Sequence, residues 1–216
     1  MKILLINPPN THQALFAGPN QLFVQHGLAP PLGLMYLKSY LRSHSDHEVR
    51  LLNGQVRNPP GEDQIRRKIS DFNPELVGIT VQTLNLYDSL RAAALAKEVN
   101  VLIHVTLGGP HLRVYPEETL VRPAVDSVVI GDGERVFKEM ADRLRAGQDL
   151  AGAAGVWFKR NGQVIRNPAP PVHKDLDQYP FPDRSEWDLR QHRIPYDHLS
   201  PTAVMIFWPG KDSIKA

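Results

Sequence analysis

Leu76-Val77-Gly78-Ile79-Thr80-Val81 and Val101-Leu102-Ile103-His104-Val105-Thr106-Leu107 are two apolar, β-prone runs, and the residues between them decide how they pair. From about Tyr87 to Val99 that connection carries Leu90, Ala94 and Ala96 available for packing, so a helix joins the two strands. A strand, a helix and a second strand form a right-handed crossover unit, which requires the strands to be parallel. Gly108-Gly109-Pro110 stops the second run abruptly.

The same alternation extends in both directions. Ile3 to Ile6 reads as a buried strand ending at Asn7-Pro8-Pro9. A long loop is expected from Asn10 to Leu28. It is followed by a helix over Pro31 to Leu41, with Leu34, Leu37, Tyr40 and Leu41 on one face and Pro31 suited to the first turn. Glu48 to Leu52 is a short strand, and Glu62 to Phe72 places Ile65, Ile69 and Phe72 at helical spacing. Further along, a short amphipathic piece around Glu117 to Val121 precedes a fifth strand at Ser127 to Ile130. Gly131-Asp132-Gly133-Glu134 then opens a helix reaching about Ala146. The expectation is a doubly wound α/β domain, a five-stranded parallel sheet of flavodoxin-like, Rossmann type, over residues 1–150.

Beyond Gly152 the pattern changes. Gly155 to Lys159 and Gln163 to Arg166 flank Asn161-Gly162, a strong signal for a two-residue hairpin. A connector rich in Pro, Asp, Arg and His continues to Pro201, so residues 151–201 read as hairpin plus connector. Thr202 to Trp208 is a last apolar run within residues 202–216. Without a sheet to join, it is expected to pair with another chain.

Composition narrows the function. Lys plus Arg number 25 against 23 acidic residues, and a net charge of +2 with no basic run argues against nucleic acid. There is no cysteine, which removes disulfides, thiolate metal sites and a cysteine nucleophile together. The apolar start is too short for a signal-peptide core, and no stretch reaches the roughly 20 apolar residues of a membrane span. A cytoplasmic protein that binds neither membrane nor nucleic acid is the resulting expectation.

In open α/β sheets ligands sit beyond the carboxyl ends of the strands, where strand order reverses. The loops expected there are Asn7-Pro8-Pro9, Thr80 to Leu84, Gly108 to His111 and Gly131 to Glu134. Each also has a purely structural reading. Gly108-Gly109 serves equally as a tight turn, His111 as a solvated turn residue, Asp132 and Glu134 as helix-start residues, and Thr80 and Thr83 as strand ends.

Taken in order, these words resemble the amino-terminal cobalamin-binding domain of cobalamin-dependent radical SAM proteins. The resemblance runs from Ile3 to about Arg184. It is carried by Leu5-Ile6-Asn7-Pro8-Pro9, Pro30-Pro31-Leu32-Gly33-Leu34 with Tyr36-Leu37, Val77-Gly78-Ile79-Thr80, Leu107-Gly108-Gly109-Pro110-His111, and Val129-Ile130-Gly131-Asp132-Gly133-Glu134. Asp175-Leu176-Asp177-Gln178-Tyr179-Pro180-Phe181-Pro182-Asp183-Arg184 completes it.

The resemblance implies a corrinoid over the strand ends, with its nucleotide tail inserted beside the central strand. The implied contacts are Asn7, Pro8, Pro9, Thr80, Gln82, Thr83, Gly108, Gly109, Pro110, His111, Gly131, Asp132, Gly133 and Glu134. No protein residue is implied as a cobalt ligand, because the Asp-x-His-x-x-Gly signature is absent and Asn7-Pro8-Pro9 stands in its place. In the family a Cys-x-x-x-Cys-x-x-Cys loop holds a 4Fe-4S cluster that binds S-adenosylmethionine. By the same resemblance Thr202 to Trp208 is the strand that would deliver this loop, so residues 202–216 read as the orphan first strand of a missing radical SAM barrel, with Pro209-Gly210-Lys211-Asp212 in place of the cysteines.

The family uses the corrinoid for methyl transfer or radical chemistry. This chain is therefore expected to be a cobalamin-binding module without catalytic residues of its own, either a shortened product or a carrier for a separate radical SAM chain. A cofactor-free flavodoxin-like interaction domain and an enzyme binding a nucleotide or nucleotide sugar are the alternatives, the latter without a Gly-x-Gly-x-x-Gly or Walker-type loop.

Overall fold

The computed structural model describes residues 1–11, 30–172 and 175–185. Most of the loop expected from Asn10 to Leu28, the far part of the connector and the run Thr202 to Trp208 lie outside the described residues. Strand β1 (Lys2–Asn7) leads to helix α1 (Leu32–His44), followed by β2 (Glu48–Asn53), α2 (Glu62–Phe72), β3 (Leu76–Thr80), α3 (Leu86–Val99) and β4 (His104–Gly108). A short α4 (Pro116–Leu120), β5 (Ser127–Val129), α5 (Gly133–Arg145), β6 (Val156–Arg160) and β7 (Gln163–Arg166) complete the order.

One sheet runs β2-β1-β3-β4-β5-β6-β7, parallel from β2 to β5. The sequence expectation of five parallel strands in flavodoxin-like order is met, but the sheet has seven strands. The hairpin does not stand apart: Val156 of β6 pairs antiparallel with Val129 of β5 and extends the sheet. With only three residues, β5 would be a weak edge, and the hairpin covers it. Asn161 (φ 51°) and Gly162 (φ 77°) make the turn, both in the left-handed region that a type I′ turn requires.

Strand β4 starts later than its apolar run suggests. Val101 and Leu102 are 72% and 84% exposed, in a turn organised by Asn100, whose side-chain oxygen accepts the Leu102 N–H at 2.9 Å. Sheet pairing begins only at His104, opposite Leu76. Hydropathy alone does not distinguish an apolar turn from the first residues of a strand.

Because the central strands are buried on both faces, alternate residues feed two cores. Leu4, Ile6, Ile69, Ile79, Ala93 and Leu107 pack on the side of α2 and α3. Ile3, Leu5, Leu37, Leu41, Phe137 and Met140 pack on the side of α1 and α5. Helix α1 runs past Leu41 to His44, with Arg42 in its last turn, where a cation complements the helix dipole.

The connector is fastened at two places. Asn167 donates to the Leu150 and Val156 carbonyls at 2.8 and 2.7 Å. Further on, the Asp183 N–H donates to the Met35 carbonyl at 3.2 Å, and its carboxylate sits 2.7 Å from Arg42 and 3.4 Å from Lys38. Lys38 is only 2% exposed, so this connector carboxylate neutralises a buried cation on α1.

Candidate functional site

The strand order reverses between β1 and β3, and the loops at the carboxyl ends of β1, β3, β4 and β5 gather there. Two of them are joined. The Val81 N–H donates to the Gly108 carbonyl at 2.7 Å, so the loop after β3 continues alongside the end of β4. Gly109 follows with φ 127°, and a Cβ on it would lie 2.6 Å from the Val81 carbonyl oxygen. Only glycine meets both conditions.

Pro110 and His111 continue into a 3-10 turn. His111 is buried, with Nδ1 3.1 Å from the Thr83 hydroxyl and its ring tilted against Tyr115. Burial pulls its pKa down, favouring a neutral imidazole. His111 thus braces the loops after β3 and β4 rather than lining the space beyond them. Gln82 and Thr83 are exposed residues of the loop after β3, where the Gln82 N–H donates to the Asn85 side-chain oxygen at 2.8 Å.

At the end of β1, Asn7 donates to the Asn53 side chain at 2.7 Å and accepts from Gln55 at 3.2 Å. The Gly54 N–H donates to the Asn7 carbonyl at 2.7 Å, and a Cβ on Gly54 would fall 2.6 Å from the Pro9 nitrogen. Asn7, Pro8 and Pro9 are all buried in this contact with the end of β2. None of the three lines the cleft on the α1 and α5 side of the sheet.

Between the carboxyl halves of β3 to β5 and helices α1 and α5 lies a cleft of about 170 Å³. Thr80, Gly108, Gly109, Gly131, Gly133 and Glu134, all singled out in the sequence, line it. Gly131 has φ 95° and turns the chain into α5; Glu134 sits in the first turn of that helix, and burial pushes its carboxyl pKa up. Asp132 and Gly131 border a wider groove of about 650 Å³ on the other side of this turn, with Arg135, Tyr40 and Tyr179.

The cleft also uses residues that sequence reasoning did not assign to it. Leu34 and Leu37 of α1 and Phe137 of α5 form apolar walls, and Gly78 and Thr106 lie on the sheet beneath them. Gly78 allows Phe137 to rest on the sheet, since a Cβ there would lie 2.7 Å from the Phe137 ring. Space remains because Gly33 has nothing within 4 Å of its missing Cβ and Gly108 meets only Val129, at 3.9 Å. A glycine inside an otherwise β-branched strand was a readable signal for Gly78. No comparable signal marks Thr106, whose place follows from its register opposite Gly78.

Among the described residues no group of three or more His, Cys, Asp or Glu is placed to hold a metal ion, and no helix is long and apolar enough to cross a membrane. No histidine lines the cleft among those residues.

Comparison with known proteins places this geometry. The chain is 39% identical over 183 residues to an uncharacterized methyltransferase of Pyrococcus horikoshii, covering 84% of this chain and 38% of that protein. It is 32% identical over 183 residues to the anaerobic magnesium-protoporphyrin IX monomethyl ester cyclase of Rubrivivax gelatinosus, covering 82% and 31%. The chain therefore spans about a third of the length of these curated relatives.

Among solved structures, the radical S-adenosylmethionine methyltransferase TsrM of Kitasatospora setae, with cobalamin and a 4Fe-4S cluster bound, aligns with a TM-score of 0.64 at 19% identity, over 83% of this chain and 31% of that one. The cobalamin-dependent S-adenosylmethionine radical enzyme OxsB, with aqua-cobalamin and S-adenosylmethionine bound, aligns at 0.62 and 21% identity, over 79% and 22%. These two likenesses establish the fold. The family model described as B12 binding domain matches residues 24–141, more than half of the sequence. With that match laid over the cleft and its glycine loops, the chain belongs to the B12 binding domain family, as a cobalamin-binding module.

Proposed function

We propose that this chain holds a corrinoid across the carboxyl ends of its parallel strands, with the nucleotide tail of the cofactor entering the cleft between the sheet and helices α1 and α5. The observation that carries the assignment is the cleft floor on β4, where Thr106 lines the cleft and Gly108 meets only Val129, at 3.9 Å, while the space over the neighbouring Gly78 is taken by Phe137. Small residues in the middle of a sheet waste packing unless something else occupies their space. A cleft of about 170 Å³ falls below the range of pockets that enclose a whole drug-sized ligand, roughly 300 Å³ and above, and suits one flat ring system.

The residues present fit the group. Leu34, Leu37 and Phe137 offer apolar walls to a ring, while Gly108, Gly109, Gly131 and Gly133 allow the backbone to approach a broad macrocycle closely. Thr80 and Glu134 supply polar atoms at the mouth of the cleft that can hydrogen-bond the amide arms of a corrin. Asn7, Pro8, Pro9, Thr83, Pro110 and His111 hold the loops that carry these contacts, with Gln82 and Asp132 at the outer rim.

A bound corrinoid supplies a cobalt centre that carries a methyl group or takes part in radical chemistry. The protein residues bind and orient it and exclude water from one face. Reductive cleavage of S-adenosylmethionine on a thiolate-held cluster falls to residues other than these, because this sequence has no cysteine. A radical SAM catalytic part, in a separate chain or in a longer one, is the partner this reading requires.

Titration with hydroxocobalamin, followed by its visible spectrum, tests the assignment. Gly108→Leu is the informative variant, because its side chain would project into open cleft without backbone strain. Saturable binding that Gly108→Leu weakens at least tenfold, with unfolding unchanged, is the expected result. A folded wild-type protein that binds no corrinoid overturns the proposal.

A further inference from the structure

Thr106 is 1% exposed, lines the cleft, and its hydroxyl has no hydrogen-bond partner. Of the buried side-chain atoms left unpartnered among the described residues, it is the only one on the cleft wall. Its neighbours cannot relieve it. Gly78, its partner on β3, has no side chain, and Ser127, its partner on β5, has its hydroxyl 2.8 Å from His104 Nε2 and directed to Met140 Sδ at 3.6 Å.

A hydroxyl buried without a partner costs about 1–3 kcal/mol. Valine has nearly the same shape and a higher β preference, so packing alone would favour it at this position in the middle of a sheet. The hydroxyl makes sense if its partner arrives with the ligand. The walls around it are Leu5, Leu34, Leu37 and Phe137, which suit the faces of a flat aromatic ring. A ring lying between apolar walls over this one buried, unpartnered hydroxyl, deeper than Thr80 at the strand end, is matched where it carries a nitrogen or an exocyclic polar atom on its buried edge.

Resting on the corrinoid reading above, we propose that Thr106 is a specificity residue for the lower base of the cofactor, hydrogen-bonding a heteroatom on the inserted edge of that base and selecting nitrogen-containing bases over phenolic ones. The principle is general. A site built to hydrogen-bond a ligand atom rejects an analogue lacking that atom more strongly than an apolar site rejects an extra group, because its own buried polar atom is left unpaired.

The test is a set of equilibrium titrations of the full chain with cobalamin, with a phenolyl cobamide whose lower base has no ring nitrogen, and with cobinamide, which has no nucleotide. Wild-type protein is expected to favour cobalamin over the phenolyl cobamide by about tenfold or more. Thr106→Val is expected to erase that preference by weakening cobalamin while leaving the phenolyl cobamide and cobinamide unchanged. Thr106→Ser, which keeps the hydroxyl, is expected to retain it.

Equal cobalamin affinity in wild type and Thr106→Val overturns the inference. So does a loss of the same size for cobinamide, which would mark a structural effect. Failure of the underlying reading looks different: wild-type protein binds none of the three, or binds cobinamide as tightly as cobalamin.

Discussion

The two ends of β4 present opposite solutions to the same problem on the same face of the sheet. At the amino end His104 and Ser127 lie 2.8 Å apart, and the neighbouring Asp126 accepts the Val105 N–H at 2.7 Å and pairs with Lys97 at 2.6 Å. Every one of these polar groups has a protein partner. Two residues further along, Thr106 has none, and beyond it Gly108 contributes no side chain at all. One end is closed by its own hydrogen bonds and the other is left open for a visitor. In α/β sheets the carboxyl end is where ligands bind, and here the contrast is visible along five residues of a single strand.

That comparison can be broken most forcefully at Gly109. A valine there would adopt a backbone region that is essentially reserved for glycine and meet the Val81 carbonyl at 2.6 Å. Strain and collision together predict a loss of about 3 kcal/mol and separation of the loops after β3 and β4. Urea unfolding measures the first and corrinoid titration the second. An unshifted midpoint would mean that the carboxyl end is less tightly constrained than its geometry indicates.

The next effect comes from outside the cleft. Lys38 and Arg42 share α1 with Leu34 and Leu37, so the Asp183 contact braces one cleft wall through the connector. Burial pushes the Asp183 carboxyl up, but hydrogen bonds from Ser185 and the charges of Lys38 and Arg42 outweigh it and hold the pKa well below the usual carboxylate range. Its contribution is therefore complete above about pH 4 and is lost as the pH falls further. Asp183→Ala is expected to cost about 2 kcal/mol, below the full penalty for an abandoned buried charge because the connector can detach and let water reach Lys38. Hydrogen exchange should rise over residues 32–44; protection equal to wild type there would show that the connector contact does not brace the helix.

The smallest effect belongs to the amino end. Burial lowers the pKa of His104 to about 4, so the folded protein binds this proton less readily than the unfolded chain, whose histidines titrate near 6.5. Stability associated with a neutral His104 is full above pH 6.5 and is lost as the pH falls toward 4. His104→Gln is expected to reduce the fall in stability between pH 7 and pH 5 by about 1.8 kcal/mol, without altering corrinoid affinity at pH 7. An altered affinity would couple the two ends and sharpen the comparison into one about communication along β4.

Much of this arrangement was legible beforehand. Glu62 to Phe72 was bounded as a helix by its apolar spacing and by the breaks around it, and the hairpin turn at Asn161-Gly162 by the residues that tolerate positive φ. Six of the residues singled out at the strand ends line the cleft, because loops after parallel strands converge on one edge whatever their details. His111 was harder to place. Its burial beside Thr83 depends on how two loops distant in sequence settle against one another.

The sequence by itself determined the alternation of strands and helices, the parallel order that follows from it, the glycine-rich loops and the lack of cysteine in these 216 residues. These are local properties, written in periodicity, turn residues and composition. Only the tertiary structure decided that Gly78 stands beside Thr106, that the hairpin extends the sheet, and that Asp183 reaches Lys38 across a long separation in sequence. Such pairings depend on strand register and helix docking, which the whole core selects together, so no short stretch of sequence encodes them.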